Sequence, residues 1–151
     1  PLDEKHGFVG EITKTNMDVI KEVLENNFIP VISTIGYDEQ GNCYNINADT
    51  VAAQIAGDLK AEALISMTDI VGLLRDINDE NTIIQKVFIS DIPALIADGI
   101  IKGGMIPKID SMTQAIRNGC TKAFIIDGRV PHSILMELLT DEGMGTMFKG
   151  R

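Results

Sequence analysis

Ala63-Leu64-Ile65-Ser66-Met67 is an apolar, strand-like run, and Thr68-Asp69-Ile70-Val71-Gly72-Leu73 follows it without a break. The run is apolar at nearly every position rather than at alternate ones, which suits a strand covered on both faces. Phe28-Ile29-Pro30-Val31-Ile32-Ser33-Thr34-Ile35 and Lys122-Ala123-Phe124-Ile125-Ile126 share this character, and Thr146-Met147-Phe148 is a short fourth strand. Helical patterns fall between the runs. Met17, Ile20, Val23 and Leu24 make one apolar stripe, with Thr15 or Asn16 as its cap. Val51, Ala52, Ile55, Ala56 and Leu59 make a second. Ser90-Asp91-Ile92-Pro93 reads as the cap and first turn of a third helix, with Leu95 and Ile96 facing inward. Ile106, Ile109, Met112 and Ile116 make a fourth, stopped near Gly119, and His132 to Leu139 is a short fifth. Gly36 to Asn45, centred on Gln40-Gly41-Asn42, reads as a hairpin. This alternation predicts an α/β chain: a three-layer αβα sandwich around a mainly parallel central sheet. Ligands in such folds lie at the carboxyl ends of strands, which directs attention to the loops after residues 35, 67 and 126.

Length and composition narrow the class. The 151 residues form a single domain, long enough to bury a core without disulfides or metal. A hydrophobic fraction of 44% with 23% charged residues is globular rather than disordered. Lys+Arg is 13 against Asp+Glu 22, for a net charge of -9, and there is no basic block, so nucleic acid is not an expected partner. No apolar run reaches the ~18–20 residues of a membrane span, and the charged N-terminus is not a signal peptide. That N-terminus lacks an initiator Met, which suggests processing or an imposed boundary. Cys43 and Cys120 form no CxxC pair, and with His6 and His132 they do not suggest a zinc site. They read as two buried free thiols in a reducing compartment, which makes cytoplasm the default location.

Three segments can carry chemistry. In Asn45-Ile46-Asn47-Ala48-Asp49, Asn47 or Asp49 can cap the helix that follows. The same two asparagines and carboxylate, on the ligand side of a sheet, can hold a polar substrate or orient a cation. Lys102-Gly103-Gly104-Met105-Ile106-Pro107-Lys108 leads into the fourth helix. A cation in a first turn opposes the helix dipole by about a few tenths of a kcal/mol or more, and becomes favourable if an anion sits there. Gly103 and Gly104 allow backbone N–H groups close to a phosphate. A solvated surface Lys108 is the plain alternative. Thr68 to Leu73 offers a hydroxyl, a carboxylate and a glycine turn that can grip a base and ribose, or that can be an Asp-rich turn and nothing more. There is no GxxxxGK[ST] loop and no strand-linked GxGxxG. No Ser/His/Asp or Cys/His set stands out, and both histidines read as structural.

Taken in order, Gly7-Phe8-Val9-Gly10-Glu11, Tyr44-Asn45-Ile46-Asn47-Ala48-Asp49-Thr50, Met67 to Leu73, Gly103-Gly104-Met105-Ile106-Pro107-Lys108, Asp127-Gly128-Arg129-Val130-Pro131-His132 and Gly143-Met144-Gly145-Thr146-Met147 resemble the acetylglutamate kinases of the amino-acid kinase family. The resemblance covers nearly the whole chain. It implies the carbamate kinase-like fold and, within it, the C-terminal, ATP-binding lobe. The implied reaction is transfer of a phosphoryl group from ATP, with Mg²⁺ accompanying the nucleotide, to the side-chain carboxylate of N-acetyl-L-glutamate, on the route to arginine. It further implies that Asn45, with Asn47, binds the amino-acid substrate, that Asp49 organises catalytic lysines and that Lys108 neutralises the moving phosphoryl group. Thr68, Asp69, Val71, Gly72 and Leu73 would line the nucleotide site, with Gly104 and Met105 close by; no protein-bound metal is implied. The last segments resemble the arginine-inhibited branch, which makes His132, Glu137 and Gly143 candidates for binding arginine as an effector. A homo-oligomer is implied for the full-length protein.

In the family, the N-terminal half carries a catalytic lysine, glycine-rich phosphate loops and an arginine that grips substrate. No counterpart of these is found in 1–151, so the isolated chain is expected to be inactive. Two rival readings stay open: a kinase of the same family acting on glutamate, aspartate, carbamate or a nucleotide, and a non-catalytic module that binds ATP, arginine or a partner.

Overall fold

The strand expected at Ala63–Met67 exists and continues one residue further, as β3 (Ala63–Thr68) of a computed structural model that describes residues 7–141 and 143–151. Its register partner is β5 (Lys122–Asp127), parallel to it from Ala63↔Lys122 to Thr68↔Asp127. On the far side of β5 lies β6 (Gly145–Lys149), which runs antiparallel and closes the approach with Ile126↔Gly145. Beyond β6 the short β4 (Lys86–Phe88) pairs parallel, giving the order β3-β5-β6-β4 with two of three pairings parallel. β4 is not among the sequence expectations: three residues, the first of them a lysine, are too few to show a period.

Both faces of β5 are covered, as its unbroken apolar run requires. Ala123 and Ile125 join Phe148, Ile109, Met112, Leu73, Ile92 and Ile101 in the main core. Alternation sends Phe124 and Ile126 to the opposite face, and they are buried as well. Ile109 and Met112 come from α4 (Met105–Arg117), which lies beside α2 (Ala48–Asp58) on the sheet. Ala53, Ala56 and Ala115 with Cys120 make a second, small-residue core between those two helices. α5 (Ser133–Leu139) packs on β5. α3 (Ile92–Ala97) starts after Asp91 with Pro93 in its opening turn; Leu95 packs against the core, but Ile96 is exposed, contrary to expectation, because so short a helix turns only one edge to the sheet.

The N-terminal third differs more. α1 (Met17–Glu25) forms as expected after Asn16, whose side chain makes no cap bond, and buries no residue. The hairpin is β1 (Ile35–Tyr37) paired with β2 (Cys43–Asn45), tied by Asp38, which accepts from the Asn42 and Gln40 N–H groups and from the Tyr44 hydroxyl. The run Phe28 to Thr34 is not a strand. It has no ladder partner among the described residues, and Ile29 and Val31 are 90% and 95% exposed. An apolar run marks a segment suited to burial; it does not supply the neighbour that a strand needs. Consequently β1 stands outside the main sheet, and only the loops after β3 and β5 lie at its carboxyl edge. Cys120 is buried as expected, and burial pushes its thiol pKa up; Cys43 is exposed, because it sits on the outer alternation of the surface hairpin. His6 lies outside the described residues. No helix among the described residues is long and apolar enough to cross a membrane.

Candidate functional site

Lys108 and Asp49, 59 residues apart, meet between α4 and α2. The Lys108 Nζ lies 2.8 and 2.9 Å from the two carboxylate oxygens of Asp49 and 3.2 Å from Ser66 Oγ. Asn47 caps α2, its Oδ1 accepting the Thr50 N–H at 3.1 Å, which leaves the Asp49 carboxylate to Lys108. Asp49 also stands in the first turn of α2, where a negative charge is favoured by the helix dipole. Near the start of α4 the cation therefore has its anion, supplied by this chain. Side-chain exposures of 23% for Lys108 and 33% for Asp49 leave the pair fixed yet reachable from solvent.

A second feature lies at the carboxyl ends of β3 and β5. A cleft of about 220 Å³ is lined by Asp69, Ile70, Val71, Gly72, Leu74 and Ile77 on one side, and by Glu80, Ile100, Met105 and Arg129. The expected Asp69, Val71, Gly72 and Met105 thus come together. Thr68 ends β3, and its hydroxyl lies 3.2 Å from Asp69 Oδ1. Leu73 does not face the cleft: it is fully buried in the core and anchors the turn instead. Its N–H donates to Thr146 Oγ1 at 2.8 Å and its carbonyl accepts from Ile84 N–H. Gly72 has φ +142, and a Cβ there would lie 2.7 Å from Thr146 Oγ1, so the turn requires glycine at that point. Gly104 is the exposed N-cap of α4 with open space around its α-carbon. Gly145 is needed for close approach, since a Cβ would stand 2.0 Å from the Ile125 carbonyl oxygen.

The remaining candidates are dispersed. Asn45 ends β2 with its backbone bonded to both Phe8 and Gly10, its side chain exposed. Asn47 spends its side-chain oxygen on the cap. Glu137 and Gly143 are neighbours, the Glu137 carboxylate turning back to accept the Met144 N–H. His132 stands in the left-handed region at φ 63 just before α5, with no side-chain cap bond. Among the described residues no three His, Cys, Asp or Glu side chains converge to hold a metal ion.

Five residues that the sequence reading passed over belong to these features. Ser66 and Thr146 reveal themselves only through contacts 42 and 73 residues away. Ile100 reads as loop hydrophobe. Asp127 and Arg129 stand in a segment that carries the family resemblance, and their signal is an acid closing a buried strand with an arginine two positions on. Asp127 accepts from Arg129 Nε, Nη2 and backbone N at 2.9, 2.8 and 2.9 Å, and this hydrogen bonding holds its carboxyl below the usual carboxylate range.

Comparison with known proteins agrees with the fold. A model of the amino acid kinase family matches residues 1–127. The chain is 55% identical over 146 residues to an acetylglutamate kinase of Brachyspira hyodysenteriae, covering 97% of this chain and 51% of that protein. It thus spans about half the length of the curated relatives it matches. The crystal structure of a Streptococcus mutans protein superimposes with a TM-score of 0.79 at 34% identity, over 100% of this chain and 55% of the other. N-acetylglutamate synthase from Neisseria gonorrhoeae, complexed with coenzyme A and L-arginine, gives a TM-score of 0.84 at 24% identity over 95% of this chain and 33% of that one, a likeness of fold. With the family model matched over most of its length, and the parallel sheet and carboxyl-edge cleft in place, the chain belongs to the amino acid kinase family.

Proposed function

We propose that the chain is the nucleotide-binding half of an N-acetyl-L-glutamate kinase. The observation that carries this reading is Lys108, held by Asp49 and Ser66 near the carboxyl-edge cleft, in a chain half of whose residues are shared with acetylglutamate kinases. In the reaction a carboxylate oxygen of N-acetyl-L-glutamate attacks the γ-phosphorus of ATP. The new O–P bond forms as the bond to the β,γ-bridging oxygen breaks, ADP leaves, and an acyl phosphate remains. No proton need move, so the protein's task is positioning and positive charge. Lys108 exchanges its Ser66 contact for a phosphoryl oxygen while Asp49 keeps the ammonium in place. The turn after β3 and Met105 hold the nucleoside end, and the exposed Gly104 at the N-cap of α4 allows a phosphate close to the backbone. Mg²⁺ would accompany the nucleotide, bound through its phosphates, and would neutralise part of their charge. Asn45, exposed at the end of β2, is free to bind the amino-acid substrate; Asn47 is committed to its helix. Glu137, beside Gly143, offers a carboxylate to an arginine effector. A cytoplasmic location and a homo-oligomeric whole protein belong to the same reading.

The test is nucleotide binding. Titrating this chain with Mg-ATP and with ADP should give measurable but weak binding, and Lys108→Ala should weaken ATP more than Lys102→Ala does. Equal losses in the two variants would remove Lys108 from the site.

A further inference from the structure

The cleft beside β3 has a second cation that the kinase reading does not use. Arg129 lines it, with 64% of its side chain exposed, yet is fixed by Asp127, whose side chain is only 7% exposed. Nε and one Nη2 hydrogen are spent on that carboxylate, and the backbone N–H of Arg129 locks the same acid. A guanidinium held by one edge keeps its flat faces and its Nη1 hydrogens for a ligand. The charge around it is wrong for phosphate: Asp127 neutralises it, and the carboxylates of Asp69 and Glu80 share the cleft. The other walls, Ile70, Ile77, Ile100 and Met105, are apolar. At about 220 Å³ the cleft is smaller than the ~300–1,000 Å³ of pockets that take a whole ligand, so it suits one part of a nucleotide. Lys108, which the phosphates need, is not among its lining residues.

From this geometry we infer that Arg129 is the base-binding residue of the site, its guanidinium face stacking on the heterocycle of the nucleotide, with Asp127 as the residue that positions it. The inference rests on the cleft being the nucleotide site. It separates the two cations: Lys108 reads phosphate, Arg129 reads base. Such a stacked arginine contributes through its plane as much as through its charge, so lysine is a poor substitute.

The experiment is displacement of a fluorescent N-methylanthraniloyl-ADP from the chain by adenosine, by ADP and by pyrophosphate. Arg129→Ala should weaken adenosine and ADP by the same factor, about 3- to 30-fold, and leave pyrophosphate unchanged. Arg129→Lys, which keeps a cation for Asp127, should fold as the parent does and still show most of the adenosine loss. If pyrophosphate falls with ADP and lysine restores both, Arg129 is a phosphate ligand and the inference is overturned. If the parent binds adenosine and ADP and Arg129→Ala binds them equally well, the inference fails while the nucleotide reading stands. If the parent binds neither, both fail.

Discussion

Residues 7–52 contain no buried residue, whereas 53–149 contain the entire core. Yet the first region is not polar. Phe8, Phe28, Ile29, Val31, Ile35 and Tyr37 all stand exposed there, more apolar surface than an isolated helix and hairpin need. The contrast separates two things that composition alone confounds. Apolar character marks what is suited to burial; a neighbour of matching shape decides what is buried. In the C-terminal region each strand finds its neighbour within the chain. In the N-terminal region the apolar run has none among the described residues, and its side chains stay exposed.

The contrast breaks first, if it is wrong, in the core. Phe148 is fully buried between β5 and β4, and Phe148→Ala should cost about 3–5 kcal/mol, read by chemical denaturation. A smaller loss is expected where the core meets the cleft. Thr146→Val removes the acceptor of the Leu73 N–H and should cost about 1–3 kcal/mol and weaken nucleotide binding, while Thr146→Ser should restore both. Acid should act more gently. The folded pKa of Asp127 lies below its unfolded value, so its contribution is complete above about pH 4 and is lost as pH falls through the folded value. Asp127→Asn should therefore flatten the fall of melting temperature below pH 4. It should not abolish it, because Asp38 in the hairpin is lowered too, by its bonds from Asn42 and Tyr44. The smallest effect belongs to the N-terminal region. Val31→Ser should change the stability of the chain, read by chemical denaturation, by less than about 0.5 kcal/mol. A loss comparable to that of Phe148→Ala would mean that the two regions share one core.

The same contrast explains what the sequence made legible. β3, β5 and β6, and helices α2 and α4, were readable because period and capping are local and their partners lie in the chain. The hairpin was readable from Gln40-Gly41-Asn42. Phe28 to Thr34 misled because its local signal was that of a strand and its missing partner is not a local property. β4 was too short to carry a period. At the site, Lys108 and Asp49 could be singled out by the helix-end charges they bear. Ser66 and Thr146 could not, since what makes them useful is who they touch: a lysine 42 residues on and a backbone N–H 73 residues back.

The central claim is that this chain holds nucleotide and Lys108 but not a complete reaction centre. Acyl-phosphate trapping with hydroxylamine tests it most directly, on the purified chain with ATP, Mg²⁺ and N-acetyl-L-glutamate, and again after addition of the separately expressed N-terminal half of an acetylglutamate kinase. The account predicts no hydroxamate above background from the chain alone, and hydroxamate from the mixture that Asp49→Asn cuts by about 10²–10³ without unfolding the chain. Robust hydroxamate from the lone chain, or a mixture indifferent to Asp49→Asn, would contradict it.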